Sequence, residues 1–135
     1  MPSNAQRFKF GRSRRLTLAE EFRSVQRRGY RQSQGPLTVI ALPNTLGRCR
    51  LGLSISRRVG PAVVRNRLKR MLRESFRLEQ HGLGDTAGVG YDLVIVARRH
   101  TPQDLETYRA LVREAVIRLD KAYARRDRRA GGSAS

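Results

Sequence analysis

Apolar residues return along this chain at two spacings, every three to four residues or in short unbroken runs, and these lay out its elements. Leu18, Phe22 and Val25 recur at helical spacing behind Thr17, with Glu20 three positions beyond that threonine. A hydroxyl followed by a carboxylate at this distance predicts a capping box. The first helix is thus expected to open at Thr17 and to close at Gly29, just past Arg27-Arg28. A short polar extended piece, residues 30–34, leads to a break at Gly35-Pro36. Residues 37–42 and 50–55 are apolar and of strand length. Pro43-Asn44-Thr45-Leu46-Gly47 between them predicts a β-hairpin with a long turn.

Helical periodicity resumes after Gly60-Pro61, read as an N-cap and a first helical residue, where proline gives up an N–H that is unpaired anyway. Val64, Leu68, Met71, Leu72, Ser75 and Phe76 share one side of this helix, which is expected to end near His81-Gly82. Arg65, Asn66, Lys69, Arg70, Arg73 and Arg77 gather on the other side, with Arg67 on the flank. The glycines at 82, 84, 88 and 90 precede a strand, whereas a phosphate-binding loop follows one and opens a helix; a connector is expected. Residues 91–97 form a buried-strand run. Thr101-Pro102-Gln103-Asp104 predicts a cap, and Leu105, Tyr108, Val112, Ala115, Leu119 and Ala122 mark the packed stripe of a last helix. One sheet covered by helices gives a single α+β domain over residues 14–124, between a mobile basic N-terminus (1–13) and a disordered basic tail (125–135).

Charge turns this from a fold into a statement about partners. The chain has 29 lysines and arginines against 11 acids, a net charge of +18. Such an excess repels itself and attracts polyanions through counterion release. Solvated helix faces usually mix signs, yet Glu74 is the only acid in residues 57–77, so the guanidinium row there is suited to phosphates. An anionic membrane fits less well, because the apolar side of the basic helix has no Trp, is not rich in Phe and Leu as an interfacial anchor is, and suits a protein core equally well. Cys49 is alone, which excludes a disulfide framework within the chain; a small, half-buried thiol at a strand start is expected, in a reducing compartment. No stretch near the N-terminus resembles a signal peptide, and a cytoplasmic location is expected. His81 and His100 have no acids or cysteines at metal-ligand spacing and are expected to be solvated; no acid pair or triad suggests a catalytic site.

Leu51-Gly52-Leu53-Ser54-Ile55-Ser56-Arg57-Arg58-Val59-Gly60, followed by Ala62-Val63-Val64-Arg65-Asn66-Arg67-Leu68-Lys69-Arg70-Met71-Leu72-Arg73-Glu74, resembles the protein-subunit family of bacterial ribonuclease P. Arg-Asn-Arg, then Lys-Arg and another Arg, at a fixed distance from the Gly-Leu-Ser strand, is far more specific than a bare basic run. Weaker agreement at Arg15-Leu16, Phe22, Gly29 and residues 91–98 extends the resemblance over residues 14–120. It implies a small mixed sheet of about four strands with three helices in the order αβββαβα, and a left-handed βαβ crossover, against the usual hand. It also implies a partner, a large catalytic RNA that removes the 5′ leader of precursor tRNA. Mg2+ would then serve the RNA, with no cofactor on the protein and no second protein, DNA or membrane required.

Two surfaces follow from the resemblance. Arg65, Asn66, Arg67, Lys69, Arg70 and Arg73 match the motif that faces the catalytic RNA, and Arg57 and Arg58 widen the positive field. A cleft between the first helix and the open sheet face would hold the single-stranded leader, with Phe22 as its aromatic; an ordinary core role for Phe22 is an equal alternative. The chain departs from the family pattern at Gln26 and Ile40, where relatives often carry aromatics, and Ile40 is still expected among the leader-binding residues. Arg14, Arg15 and Arg31 would then carry more of the contact, and Tyr30 has no assigned place. Composition alone fits a structural RNA-binding protein, such as a ribosomal component, equally well. A DNA regulator is disfavoured because the basic helix is long and follows a strand; a stand-alone nuclease lacks a site.

Overall fold

The apolar run at residues 91–97 forms the strand around which the other elements are arranged. The computed structural model describes residues 15–79 and 90–134. In chain order these form α1 (Ala19–Arg28), β1 (Tyr30–Gln34), β2 (Leu37–Asn44), β3 (Arg50–Ser54), α2 (Ala62–Glu79), β4 (Gly90–Ala97) and α3 (Leu105–Ala134). A 3-10 turn, Arg57–Val59, precedes α2. The order αβββαβα is the one expected, in a single mixed four-stranded sheet.

β4 is buried along almost its whole length, and a strand of that kind needs a neighbour on each edge. It takes β2 antiparallel on one side and β3 parallel on the other, giving the order β1-β2-β4-β3. This corrects the hairpin expected between residues 37–42 and 50–55. β2 and β3 lie two strand spacings apart, about 10 Å. The residues between them turn a corner: Asn44 donates to the Arg48 carbonyl (3.0 Å), accepts from the Leu46 N–H (3.0 Å), and Gly47 takes φ +72°. The hairpin lies one strand earlier, where β1 pairs with β2 from Tyr30↔Ala41 to Gln34↔Leu37 around Gly35 (φ +59°). β1 sits at the edge of the sheet, so none of its polar residues is buried: Arg31 and Ser33 are exposed, Gln32 and Gln34 partly so.

Strand alternation divides the core between two faces. Leu37, Val39, Ala41, Leu51, Leu93 and Ile95 meet Leu68, Leu72 and Phe76 of α2 and Tyr108, Val112 and Leu119 of α3. On the other face Ile40 and Val94 meet Leu16 and Val25. Ser75, fully buried in the α2 stripe, donates its hydroxyl to the Met71 carbonyl at 2.8 Å. Cys49 is likewise fully enclosed rather than half-buried.

Helix starts are displaced by one residue from the sequence reading. Glu21, not Glu20, reaches back, accepting from the Leu18 N–H at 3.3 Å, and Leu18 is the cap; it is 62% exposed and leaves the apolar stripe. Pro61 likewise caps α2 through its carbonyl, which accepts from Arg65 N–H at 3.0 Å. The other end of the chain also differs. α3 continues to Ala134 where a disordered tail from Arg125 was expected. Tyr123 fastens it to the sheet, donating to the Ala41 carbonyl (2.6 Å) and accepting from Tyr30 N–H (3.1 Å). Its ring stacks on Tyr30 with centroids 4.2 Å apart, and the Arg126 guanidinium lies 4.8 Å from the Tyr123 centroid. His81, Gly82, Gly84 and Gly88 fall outside the described residues, and Gly90 opens β4.

Candidate nucleic-acid interface

With Leu68, Leu72 and Phe76 buried beneath it, α2 turns its arginines outward. Asn66, Arg67 and Arg70 are exposed, Lys69 and Arg73 half-exposed, and Arg57 and Arg58 stand in solvent on the 3-10 turn. Arg65 donates from Nε to the Gly60 carbonyl at 3.1 Å, which ties its side chain to the start of the helix. Arg77 is set apart, because Glu74 holds it by Nε (2.9 Å) and Nη2 (2.5 Å). That pairing keeps the Glu74 carboxyl below the usual carboxylate range and neutralises the acid nearest the row, while Glu79 at the far end of the helix pairs with Arg109 and Arg113 of α3.

Lys69 and Arg73 also face a second feature. They line a cleft of about 150 Å³ together with Arg15, Leu16, Phe22, Gly52 and Leu53. The segment before α1 reaches this cleft by running along β3: Leu16 N–H donates to the Leu51 carbonyl at 3.0 Å. Phe22 comes from α1 and is half-buried; its ring packs over Gly52 while lining the cleft. The two readings of Phe22 are therefore compatible, since one side of the ring packs and the other stays accessible. Cationic side chains from α2 and an aromatic edge from α1 thus meet over one strand.

Not every expected leader residue joins them. Ile40 is fully buried beneath α1 and offers no surface to a ligand. The cause is the close approach of α1 at Gly29, where an added Cβ would meet Ile40 Cγ2 at 2.9 Å and the Ala41 carbonyl at 2.7 Å. Arg31, opposite Ile40 on β1, donates to the Gln26 carbonyl at 3.0 Å and so caps the C-terminal end of α1, away from Phe22. Tyr30 belongs to the opposite face of the sheet, stacked on Tyr123. Arg14 lies outside the described residues. His100 is not solvated: its ring nitrogens bond the Arg98 carbonyl (2.7 Å) and the Tyr108 hydroxyl (2.8 Å).

One arrangement escaped the sequence reading. Arg50 grips Asp92 through Nε–Oδ1 (2.8 Å) and Nη2–Oδ2 (2.7 Å), and holds Glu21 through Nη1 at 2.7 Å. Asn44 donates a further 2.8 Å bond to Asp92. These bonds to carboxylates push the Arg50 guanidinium well above its usual range and keep it charged. The network joins β3, β4 and the first turn of α1, and Phe22 is the residue after Glu21. The available signal was Asp92 itself, an acid inside an apolar strand run, which demands a partner when buried.

An α+β domain carrying an arginine row on one helix, beside a cationic cleft with an aromatic edge, has the surface of an RNA-binding protein. Comparison with known proteins gives the family. The Ribonuclease P family model matches residues 10–124. The ribonuclease P protein component of Methylococcus capsulatus is 42% identical over 135 residues, covering 99% of this chain and 97% of that one. That of Azotobacter vinelandii is 42% identical over 92 residues, 67% of each chain. The ribonuclease P protein of Thermotoga maritima superposes with TM-score 0.68 at 28% identity, over 77% of this chain and 96% of that one. The Staphylococcus aureus protein, at 23% identity and TM-score 0.66 over 80% of this chain and 95% of its own, shares the fold. The chain belongs to the ribonuclease P protein family, and its function is that of a protein component of the ribonuclease P holoenzyme, which cleaves tRNA precursors. Among the described residues, no helix is long and apolar enough to cross a membrane.

Proposed function

We propose that the two cationic surfaces divide the work of the holoenzyme. The outward row of α2, with Arg65, Asn66, Arg67 and Arg70 and the flanking Arg57 and Arg58, docks on the catalytic RNA. Guanidinium forks suit phosphate, which they grip bidentately. The cleft of Arg15, Phe22, Lys69 and Arg73 takes the single-stranded 5′ leader of precursor tRNA. A positive groove tracks its backbone, and the Phe22 edge supplies a surface for a base. Bond cleavage belongs to the RNA with its Mg2+, in the cytoplasm where tRNA precursors are made; the protein raises substrate affinity and lowers the magnesium requirement.

The observation that carries this reading is the meeting of Phe22 with Lys69 and Arg73 over Gly52. Lys69 and Arg73 belong to the same helix as the docking row, so leader and catalytic RNA would be held on adjacent sides of one rigid element. The test is reconstitution. Added to ribonuclease P RNA at low magnesium, the protein is expected to stimulate leader removal, and Phe22→Ala to weaken leader-bearing substrate more than mature tRNA. Equal losses for both would return Phe22 to a packing role, and absence of stimulation would overturn the assignment of surfaces.

A further inference from the structure

On the flank of α2 away from the Phe22 cleft lies a second recess. Helical order separates the two: Lys69 and Arg73 face the cleft, Asn66 and Arg70 form the crest, and Val63 and Arg67, one turn apart, face the recess. It has a volume of about 80 Å³. Its walls are Val59 of the 3-10 turn, Val63, Val64 and Leu68 of α2, and Pro102 from the segment before α3.

Tyr108 and His100 complete the lining, and their polar atoms are already engaged. The Arg98 carbonyl can only accept, so Nδ1 of His100 donates to it, and Nε2 shares a hydrogen bond with the Tyr108 hydroxyl. That hydroxyl also accepts from Gln103 N–H at 3.1 Å. The recess is therefore an apolar slot with no demanding polar group inside. Its mouth is unusual: Val63 is 79% exposed, the most exposed large apolar residue among those described, and stands amid the cationic row. Arg67 lines the same slot, and Arg57 and Arg58 precede its wall residue Val59.

We propose that this slot receives one unstacked nucleobase of the catalytic RNA, with the phosphates on either side of that nucleotide held by Arg67 and the Arg57-Arg58 pair. The inference rests on the reading that α2 docks on that RNA. An apolar slot by itself selects no partner, but this one is rimmed by cations. A base is the apolar, flat part of a polyanion, and proteins commonly take splayed-out RNA bases into such sites. An apolar peptide segment would fill the slot and gain nothing from the arginines.

The test measures binding of transcribed ribonuclease P RNA to the full-length chain over a series of salt concentrations. Val63→Ser and, from the opposite wall, Pro102→Ser remove apolar contact without touching a charge, and both positions are exposed enough to leave folding intact. Each is expected to weaken binding about tenfold at every salt concentration, as for loss of one base contact, with the salt slope unchanged. Chemical probing of the complex should show one base protected by the natural protein and reactive with Val63→Ser. Binding within twofold for both variants, or a changed slope, would overturn the slot. Arg65→Ala and Arg70→Ala, measured alongside, separate the two readings. If they weaken binding while the slot variants do not, only the slot fails; if they too leave it intact, the docking row fails as well.

Discussion

The ring of Phe22 fills the space that a side chain at Gly52 would need. A Cβ added at Gly52 would stand 2.5 Å from Phe22 Cζ and 2.6 Å from Cε1, too close for either to remain in place. The glycine of the Leu51-Gly52-Leu53 strand and the aromatic of α1 are thus one device, and the cleft owes its wall to an absent methyl group.

Gly52→Ala is accordingly expected to push the ring off the strand. Overpacking of this kind destabilises by about 1–3 kcal/mol. Urea unfolding reads that loss, and binding assays should show a reduced advantage of leader-bearing precursor over mature tRNA. A Gly52→Ala protein that keeps the full advantage would separate the ring position from leader binding.

The arginines of α2 are expected to act through phosphates. Arg65→Ala and Arg70→Ala should each weaken binding of ribonuclease P RNA and make the logarithmic salt slope shallower by about one unit or less. Unchanged slopes in both would place these side chains away from the RNA backbone.

Arg50 is expected to stabilise the fold by joining α1 to the sheet. Arg50→Met strands Asp92 and Glu21 without their cation; partial exposure reduces the loss from that of a fully buried pair to about 2 kcal/mol. The double variant Arg50→Met/Asp92→Leu should recover much of it, because no uncompensated charge then remains in the strand. Thermal unfolding of the single and double variants decides the matter.

Alkaline pH should unlock the α3 side of the sheet. Tyr91 is buried and donates its hydroxyl to Asp120 at 2.7 Å; burial first, and then that carboxylate, raise its pKa well above the ordinary value of 10.0. Burial likewise raises Tyr123. The folded chain therefore keeps these protons after the unfolded chain has begun to lose them. The stabilisation is complete below pH 10 and declines above it, by up to about 1.4 kcal/mol per pH unit for each tyrosine. Urea midpoints from pH 8 to 11 should fall less steeply for Tyr91→Phe and Tyr123→Phe than for the natural chain.

What could be read from the sequence was the content of each element more than its neighbours. The burial of Leu68, Leu72 and Phe76 and the exposure of Asn66, Arg67 and Arg70 follow from helical spacing alone, and the structure agrees at each. Strand pairing did not follow. Local turn residues suggested joining β2 to β3, but the demand of β4 for two neighbours, set by residues some forty positions later, outweighed them. Ile40 was misassigned for a related reason. Its strand alternation permits either face to be open, and only the approach of α1 at Gly29 closes this one. The extra length of α3 was hidden because a run rich in arginine reads as tail, whereas the Tyr30-Tyr123-Arg126 stack is a long-range contact.

The position of β4 has a consequence for how the molecule is born. The strand that separates β2 from β3 is the last of the four to leave the ribosome. Until translation has passed Ala97, the earlier strands have no common neighbour, and the arginine helix has no finished platform to rest on. A nascent chain shorter than this carries the whole nucleic-acid motif without the scaffold that orients it. A finished platform for the arginine row must therefore await the synthesis of β4.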